Sequence, residues 1–292
     1  MDADALIEWA LEDAVSESES PPGPPLLASA IRHAVFPGGA RVRPQLCLAV
    51  AAACSAGSRD DLMVSAGAGA ALELLHCASL VHDDLPCFDG ADTRRGKPSV
   101  HVAYGEPIAL LTGDALIVMA FSTLARTCAE SPETLLRVLP IVTSAVGAPH
   151  GIVAGQAWES EREIDTATYH RAKTGALFIG AAEAGAASVG ADPTPWRRLG
   201  ECLGDAYQVA DDLRDMLLDE DALGKPAGQD AKCARPNAAS DLGPRAAMAK
   251  LNGLIEAAAD SVPECKGAPA LRALVHAQAS RLIPASLARA LA

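Results

Sequence analysis

The chain has 292 residues, half of them hydrophobic but only 3% aromatic, which is material for one large domain or two and for a sizeable core. Asp and Glu outnumber Lys and Arg by 37 to 24, and the net charge of −13 excludes a surface suited to nucleic-acid phosphates or to anionic lipid. Abundant alanine with few aromatics favours close-packed helices over sheets.

Taken in chain order, Glu8–Ser16 reads as a short acidic helix, and the Ser- and Pro-rich run to Pro25 completes a mobile N-terminal lead-in of residues 1–25. Further helices are expected over Leu26–Val35, Pro44–Ser55, Leu62–Asp83, Pro107–Glu130, Pro132–Ala145 and His150–Glu161. Tyr169–Gly190, Pro193–Leu218, Pro244–Ser261 and Ala268–Ala290 complete the series. Gly and Pro fall between these segments, no alternating β pattern occurs, and no linker halves the chain. A single all-α domain over residues 1–292 is the expectation.

Met1 to Ser20 carries seven acidic residues and no basic one, the reverse of a signal peptide. The longest stretch without a charged side chain, Val138 to Trp158, holds Pro140, Pro149 and several glycines, so no membrane span is expected. Eight cysteines without a CxxC pair read as buried thiols of a cytoplasmic protein.

Two acidic clusters stand out. Asp83, Asp84 and Asp89 lie in HDDLPCFDGADTRRGKP, at the predicted C-terminal end of a helix. Adjacent carboxylates there oppose the helix dipole and repel each other, a cost that a hard divalent cation offsets. Asp211, Asp212 and Asp215 lie in YQVADDLRD, where Asp211, Asp215 and Gln208 share a face inside an otherwise apolar pattern of Val209, Ala210, Leu213, Met216 and Leu217. One such cluster in so acidic a chain reads as a solvated helix face. Two clusters shift the balance, because basic residues and glycines follow each: Arg94, Arg95, Gly96 and Lys97 after the first, Gly224, Lys225 and Gly228 after the second. Carboxylates with Arg and Lys nearby suit Mg²⁺ holding a diphosphate. The glycine turn GGARVRP carries Arg41 and Arg43 into a helix, His76 shares a helix face with Asp83, and Lys173-Thr174-Gly175 interrupts an apolar helix. Taken singly, each of these has an ordinary structural reading.

Together, GGARVRP, ELLHCASLVHDDLPCFDGADTRRGKPSVH, GDAL, GQAWE, KTGALF, YQVADDLRD and GKPAGQD resemble the trans-isoprenyl diphosphate synthase (polyprenyl synthetase) family, in its order, from about Pro25 to Pro236. The wording is most similar to geranylgeranyl diphosphate synthases of bacterial carotenoid pathways. The resemblance implies a bundle of long helices around a deep central cavity, in a homodimer. It implies that Asp83 and Asp89 ligate two Mg²⁺ ions and Asp211 a third, supported by Asp84, Asp212 and Asp215. Arg94, Lys173 and Lys225 would hold the allylic diphosphate; Arg43, His76 and Arg95 would hold isopentenyl diphosphate; Lys173, Thr174 and Gln208 would lie by the allylic carbon.

The implied reaction is head-to-tail condensation of isopentenyl diphosphate with dimethylallyl, geranyl or farnesyl diphosphate. Ser79 and Ala78 precede Asp83 by four and five residues, roughly 6 and 7.5 Å along a helix. An aromatic side chain there is a common floor in the family that stops growth at fifteen carbons. Both are small here, so the twenty-carbon geranylgeranyl diphosphate is expected, with Met119 or Phe121 as the deeper floor. Two departures from the family pattern are plain: Ala40 replaces the lysine of GGKxxRP, and Gly90-Ala91 stands where acidic or amide residues are usual. Farnesyl diphosphate synthesis is the alternative reading, and Ala40 also motivates a non-catalytic, regulatory subunit of a heteromeric synthase.

Overall fold

A computed structural model describes residues 3–55, 59–217 and 242–282. Their regular structure is helical apart from one short hairpin. Helices α1 (Ala3–Glu17), α2 (Pro25–Val35), α3 (Val42–Cys54) and α4 (Arg59–Asp83) are followed by strands β1 (Thr93–Arg94) and β2 (Lys97–Pro98). Then come α5 (Val100–Tyr104), α6 (Glu106–Thr127), α7 (Pro132–Val146), α8 (Ile152–Trp158) and α9 (Thr166–His170). A π-helical turn, Arg171–Gly175, leads into α10 (Ala176–Ser188); α11 (Arg197–Leu217), α12 (Pro244–Asp260) and α13 (Ala268–Leu282) follow.

Two compact units divide the chain, one comprising Met1–Val142 with Ala184–Asp192, the other Thr143–Glu183 with Pro193–Ala292. In the first, α4 is the central helix and packs against α1, α3, α6 and α2. Its inward residues are Ala66, Ala68, Ala70, Ala71, Leu72, Leu74, Leu75, Cys77 and Ala78, all buried. Small residues let neighbouring helices approach closely, while each buried leucine contributes about 1.5–3 kcal/mol. Within the stretch expected as a lead-in, α1 buries Leu6, Ile7, Ala10, Leu11, Ala14 and Val15 and packs on α3 and α4.

The hairpin follows from its own sequence. Arg95 and Gly96 both have positive φ, 55° and 74°, the requirement of a two-residue turn that matches strand twist, and Arg94 pairs with Lys97 across it. Lys97 Nζ donates to the carbonyl oxygens of His33 and Phe36, and the His33 ring bonds the Pro98 carbonyl at 2.8 Å, so the hairpin sits on the end of α2. Lys97 is thereby a structural cation.

In the second unit, α11 packs against α12 and the π-helical turn, α8 packs on that turn, and α12 packs on α13. Val209, Ala210 and Leu213 of α11 are buried as the pattern implies. Met216, read as part of the same apolar wall, is 38% exposed.

Candidate active site

Each unit carries one group of the residues singled out by sequence. In the first, α4 ends at Asp83 and the chain folds into a hydrogen-bonded turn. Asp84 N–H donates to Leu80 O at 3.0 Å, Phe88 N–H to Leu85 O at 2.9 Å, Asp89 N–H to Asp83 O at 2.9 Å and Gly90 N–H to Leu85 O at 3.1 Å. The third bond turns Asp89 back on Asp83, and a carboxylate oxygen of each lies within 4.8 Å of the other. Both side chains are half-buried. Two hard oxygen donors at this separation, with no nitrogen or sulfur ligand, fit Mg²⁺. Gly90 has φ 59°, so the position calls for a residue tolerant of the left-handed region. Asn and Asp share that tolerance, which accounts for both the family's preference and the glycine here.

Asp84 behaves differently from its neighbour. It is 2% exposed and accepts from Arg94, with Nε at 3.0 and 3.2 Å from its two oxygens and Nη2 closer still. Its carboxylate is therefore committed to orienting Arg94.

Two turns before this loop on α4 lies His76, among Arg43, Arg94, Arg95 and Arg41. Burial and then the charges of Arg43, Arg95, Arg94 and Arg41 hold its imidazole well below the usual histidine range. Its Nδ1 is buried without a hydrogen-bond partner. A neutral imidazole amid guanidiniums is a preformed place for a polyanion. Arg41 itself is otherwise engaged: it is 6% exposed and reaches Glu73 at 2.9 Å, Glu8 at 2.8 Å and Val35 O at 2.9 Å. It does not stand in for the lysine missing at Ala40.

In the second unit, a polar chain runs between the π-helical turn and α11. The Thr174 hydroxyl donates to Gln208 Oε1 at 2.7 Å, and Gln208 Nε2 donates to Asp212 Oδ1 at 2.8 Å. Gln208 thus pairs with Asp212, one turn on, while its expected companions Asp211 and Asp215 lie half-buried beside it. Asp212 is 1% exposed, and Asp211 accepts from Arg214 Nη2 at 3.1 Å. Both acidic motifs share one design, in which the buried second aspartate orients a neighbour and the first and last are the more open.

Lys173 forms an ion pair with Glu159, which also accepts from Tyr169 Oη at 2.7 Å and from Gln156 Nε2 at 3.2 Å. The π-helical turn inserts one residue per turn relative to α-helix, and such bulges re-aim side chains at functional sites. Glu159 of GQAWE and Glu73 of ELLH are partners that the motifs alone do not assign; for Glu73 the signal is an acidic residue inside an apolar run.

The remaining expected residues are placed as follows. Lys225 lies outside the described residues. Ala78 is buried, and Ser79 Oγ donates to His76 O at 2.8 Å. Met119 and Phe121 of α6 are both half-buried.

Comparison with known proteins gives a consistent result. The polyprenyl synthetase family model matches residues 24–247. The geranylgeranyl diphosphate synthase of Cereibacter sphaeroides is 50% identical over 97% of this chain and 97% of its own. That of Rhodobacter capsulatus is 48% identical over 99% of this chain and its whole length. A Helicobacter pylori geranyltransferase solved with magnesium and isoprenyl diphosphate superposes with TM-score 0.78 at 26% identity, over 96% of this chain and 98% of that one. The chain belongs to the polyprenyl synthetase family.

Proposed function

We infer that this chain is a prenyltransferase that condenses isopentenyl diphosphate head to tail with allylic diphosphates and releases geranylgeranyl diphosphate. The observation that carries the reading is the end of α4, where the open pair Asp83 and Asp89 follows, two turns on, a neutral His76 amid arginines. Hard carboxylate ligands next to an anion pocket are what a metal-dependent diphosphate reaction requires. Near-full-length similarity to proteins named geranylgeranyl diphosphate synthase supports the product.

Asp83 and Asp89, and on α11 Asp211 with Asp215, are the residues proposed to hold Mg²⁺, three ions by family resemblance, whose charge makes the allylic diphosphate a competent leaving group. Arg94, oriented by Asp84, together with Lys173 and Lys225, binds that diphosphate and stabilises the negative charge that develops as the allylic C–O bond breaks. Arg43, His76 and Arg95 hold isopentenyl diphosphate so that its double bond meets the allylic carbon at near-attack distance. The Thr174 hydroxyl, whose proton is given to Gln208, turns its lone pairs outward and with Lys173 lines the allylic carbon; Asp212 fixes Gln208 in that role. A new carbon–carbon bond forms, and the proton released goes to the departing diphosphate.

The chain is read as one polyprenyl synthetase domain, since the family model runs across both units, and as a homodimer. A cytoplasmic location accords with seven described cysteines, all free thiols. Incubation with isopentenyl diphosphate, each allylic primer and Mg²⁺ tests the reading. Twenty-carbon product is expected, abolished by chelator, and Ala78→Phe is expected to shift it toward fifteen carbons. Absence of isopentenyl diphosphate consumption in the wild type would leave the regulatory-subunit reading, and a fifteen-carbon end product would make it a farnesyl diphosphate synthase.

A further inference from the structure

The first helix lies outside the residues that the family model matches, 24–247, yet it reaches the glycine turn of GGARVRP. Arg41 follows that turn as the N-cap of α3, with φ 49° and ψ 33°. A side chain other than glycine adopts this left-handed conformation only when its surroundings over-determine it. Here they do. The Arg41 guanidinium spans three elements: Nε donates to Glu8 Oε1 of α1 at 2.8 Å, Nη1 to Glu73 Oε1 of α4 at 2.9 Å, and Nη2 to the Val35 carbonyl of α2 at 2.9 Å. It also lies 5.7 Å from the Phe36 ring centroid.

The turn is shaped around this guanidinium. A Cβ on Gly38 would sit 2.0 Å from Arg41 Cζ, and one on Gly39 would sit 3.1 Å from Arg95 Nε. The two glycines therefore leave space that two arginines fill. Arg43, two residues beyond Arg41, is 7% exposed and is one of the charges acting on His76. A second tie runs alongside, from Gln45 Nε2 on α3 to Asp4 Oδ1 on α1 at 2.8 Å. Glu73, 2% exposed, is the buried half of the network, and Glu8, with its side chain 46% exposed, is the half that α1 brings to it.

We propose that α1 is a positioning element of the isopentenyl diphosphate site, in which Glu8 joins Glu73 in fixing Arg41 and thereby the turn that carries Arg43. The proposal rests on the functional reading above for the identity of that substrate. Glu8 touches no reacting atom; it acts through Arg41. Removing it frees one donor of Arg41, loosens a left-handed residue, and lets the turn and Arg43 wander relative to His76.

The test is steady-state kinetics of the full chain with Mg²⁺, each substrate varied in turn. Glu8→Ala is chosen because the side chain is partly exposed and the substitution keeps helix propensity. KM for isopentenyl diphosphate is expected to rise about two- to fivefold, the scale of one partly exposed ion pair. The allylic KM and kcat stay within their errors, and Glu8→Gln, which keeps an acceptor, lies between. Adding Asp4→Ala raises the same constant further. Glu17→Ala is the control: it cuts one of the two ties from α1 to Arg126, at 2.6 Å and away from the turn, and both constants hold. Equal change in both substrate constants, or none, for Glu8→Ala would overturn the proposal while the functional reading stands on wild-type turnover. A wild type that consumes no isopentenyl diphosphate would overturn both.

Discussion

Ala40 is exposed at the tip of the glycine turn, one residue before the buried Arg41. Because the position is exposed, a longer side chain there displaces no buried packing. Ala40→Lys is therefore expected to add a cation to the isopentenyl diphosphate pocket and tighten that substrate by about 1.5–3 kcal/mol, the scale of a hydrogen bond to a charged group. Its KM against that of the wild type checks this; an unchanged or weaker value means that the pocket is complete without a lysine. His76 gives a second prediction. Burial and four neighbouring arginines lower its folded-state pKa, so the unfolded chain binds the proton first as acid is added. Its contribution to stability is complete above the unfolded value of about 6.5 and is lost as pH falls through it toward the folded value. His76→Gln is expected to flatten the decline in melting temperature of the ligand-free protein between about pH 7 and 5. A parallel decline in both proteins would show that the histidine is not the group being titrated.

Helices were legible because their signals are local. Pro132 opens α7, Pro25 and Pro107 fall in first turns, and Gly or Pro separates the elements, so predicted and observed bounds agree within a few residues over α2, α4, α6, α7 and α12. The acidic motifs and their order along the chain were equally plain. What escaped the pattern depends on partners distant in sequence. Nothing near Arg41 says that Glu73, 32 residues on, receives it, nor does anything near Asp84 say that Arg94 occupies its carboxylate. The π-helical turn escaped too: Thr174 and Gly175 signal an interruption but not its geometry, and α8 packs on it. A Cβ on Gly155 of α8 would lie 2.4 Å from both Cα and N of Lys173, so α8 rests directly on the backbone of that turn. Gly155→Ala must push the two apart. A loss of about 1–3 kcal/mol in denaturant unfolding is expected, as for other overpacked contacts. A lower kcat should accompany it, because Lys173 moves with its backbone. Retained kcat with lowered stability would dissociate the close contact from the placement of Lys173.

At the level of the molecule, two helices among the described residues are long and apolar enough to cross a membrane, and their surroundings differ. Within the apolar windows, 78% of the α4 residues are buried but only 39% of those in α6. Helix α4 is a core helix, enclosed by α1, α3 and α6. Helix α6 turns Ala109, Thr112, Gly113, Leu116, Ala120, Thr123 and Leu124 inward and leaves Leu110, Leu111 and Val118 between 50% and 64% exposed, with Val102 of α5 at 50%. Leu111 and Val118 are seven residues apart and fall on one stripe. Exposed aliphatic side chains gathered on one helix face, here around the exposed Asp114, are a candidate contact surface. A lipid surface is a poor occupant, because a chain of net charge −13 is repelled by anionic headgroups. A second copy of α6 is a better one: the same stripe meets itself across a two-fold axis, and each copy removes the other's leucines from water. The homodimer proposed above is expected to use this face. Val118→Asp places a pair of like charges at its centre, where burial without a partner is costly. Light scattering should then report half the wild-type mass, with the helical circular dichroism unchanged. A monomeric wild type, or a dimer that survives the aspartate, would show that the exposed stripe of α6 is not where copies meet.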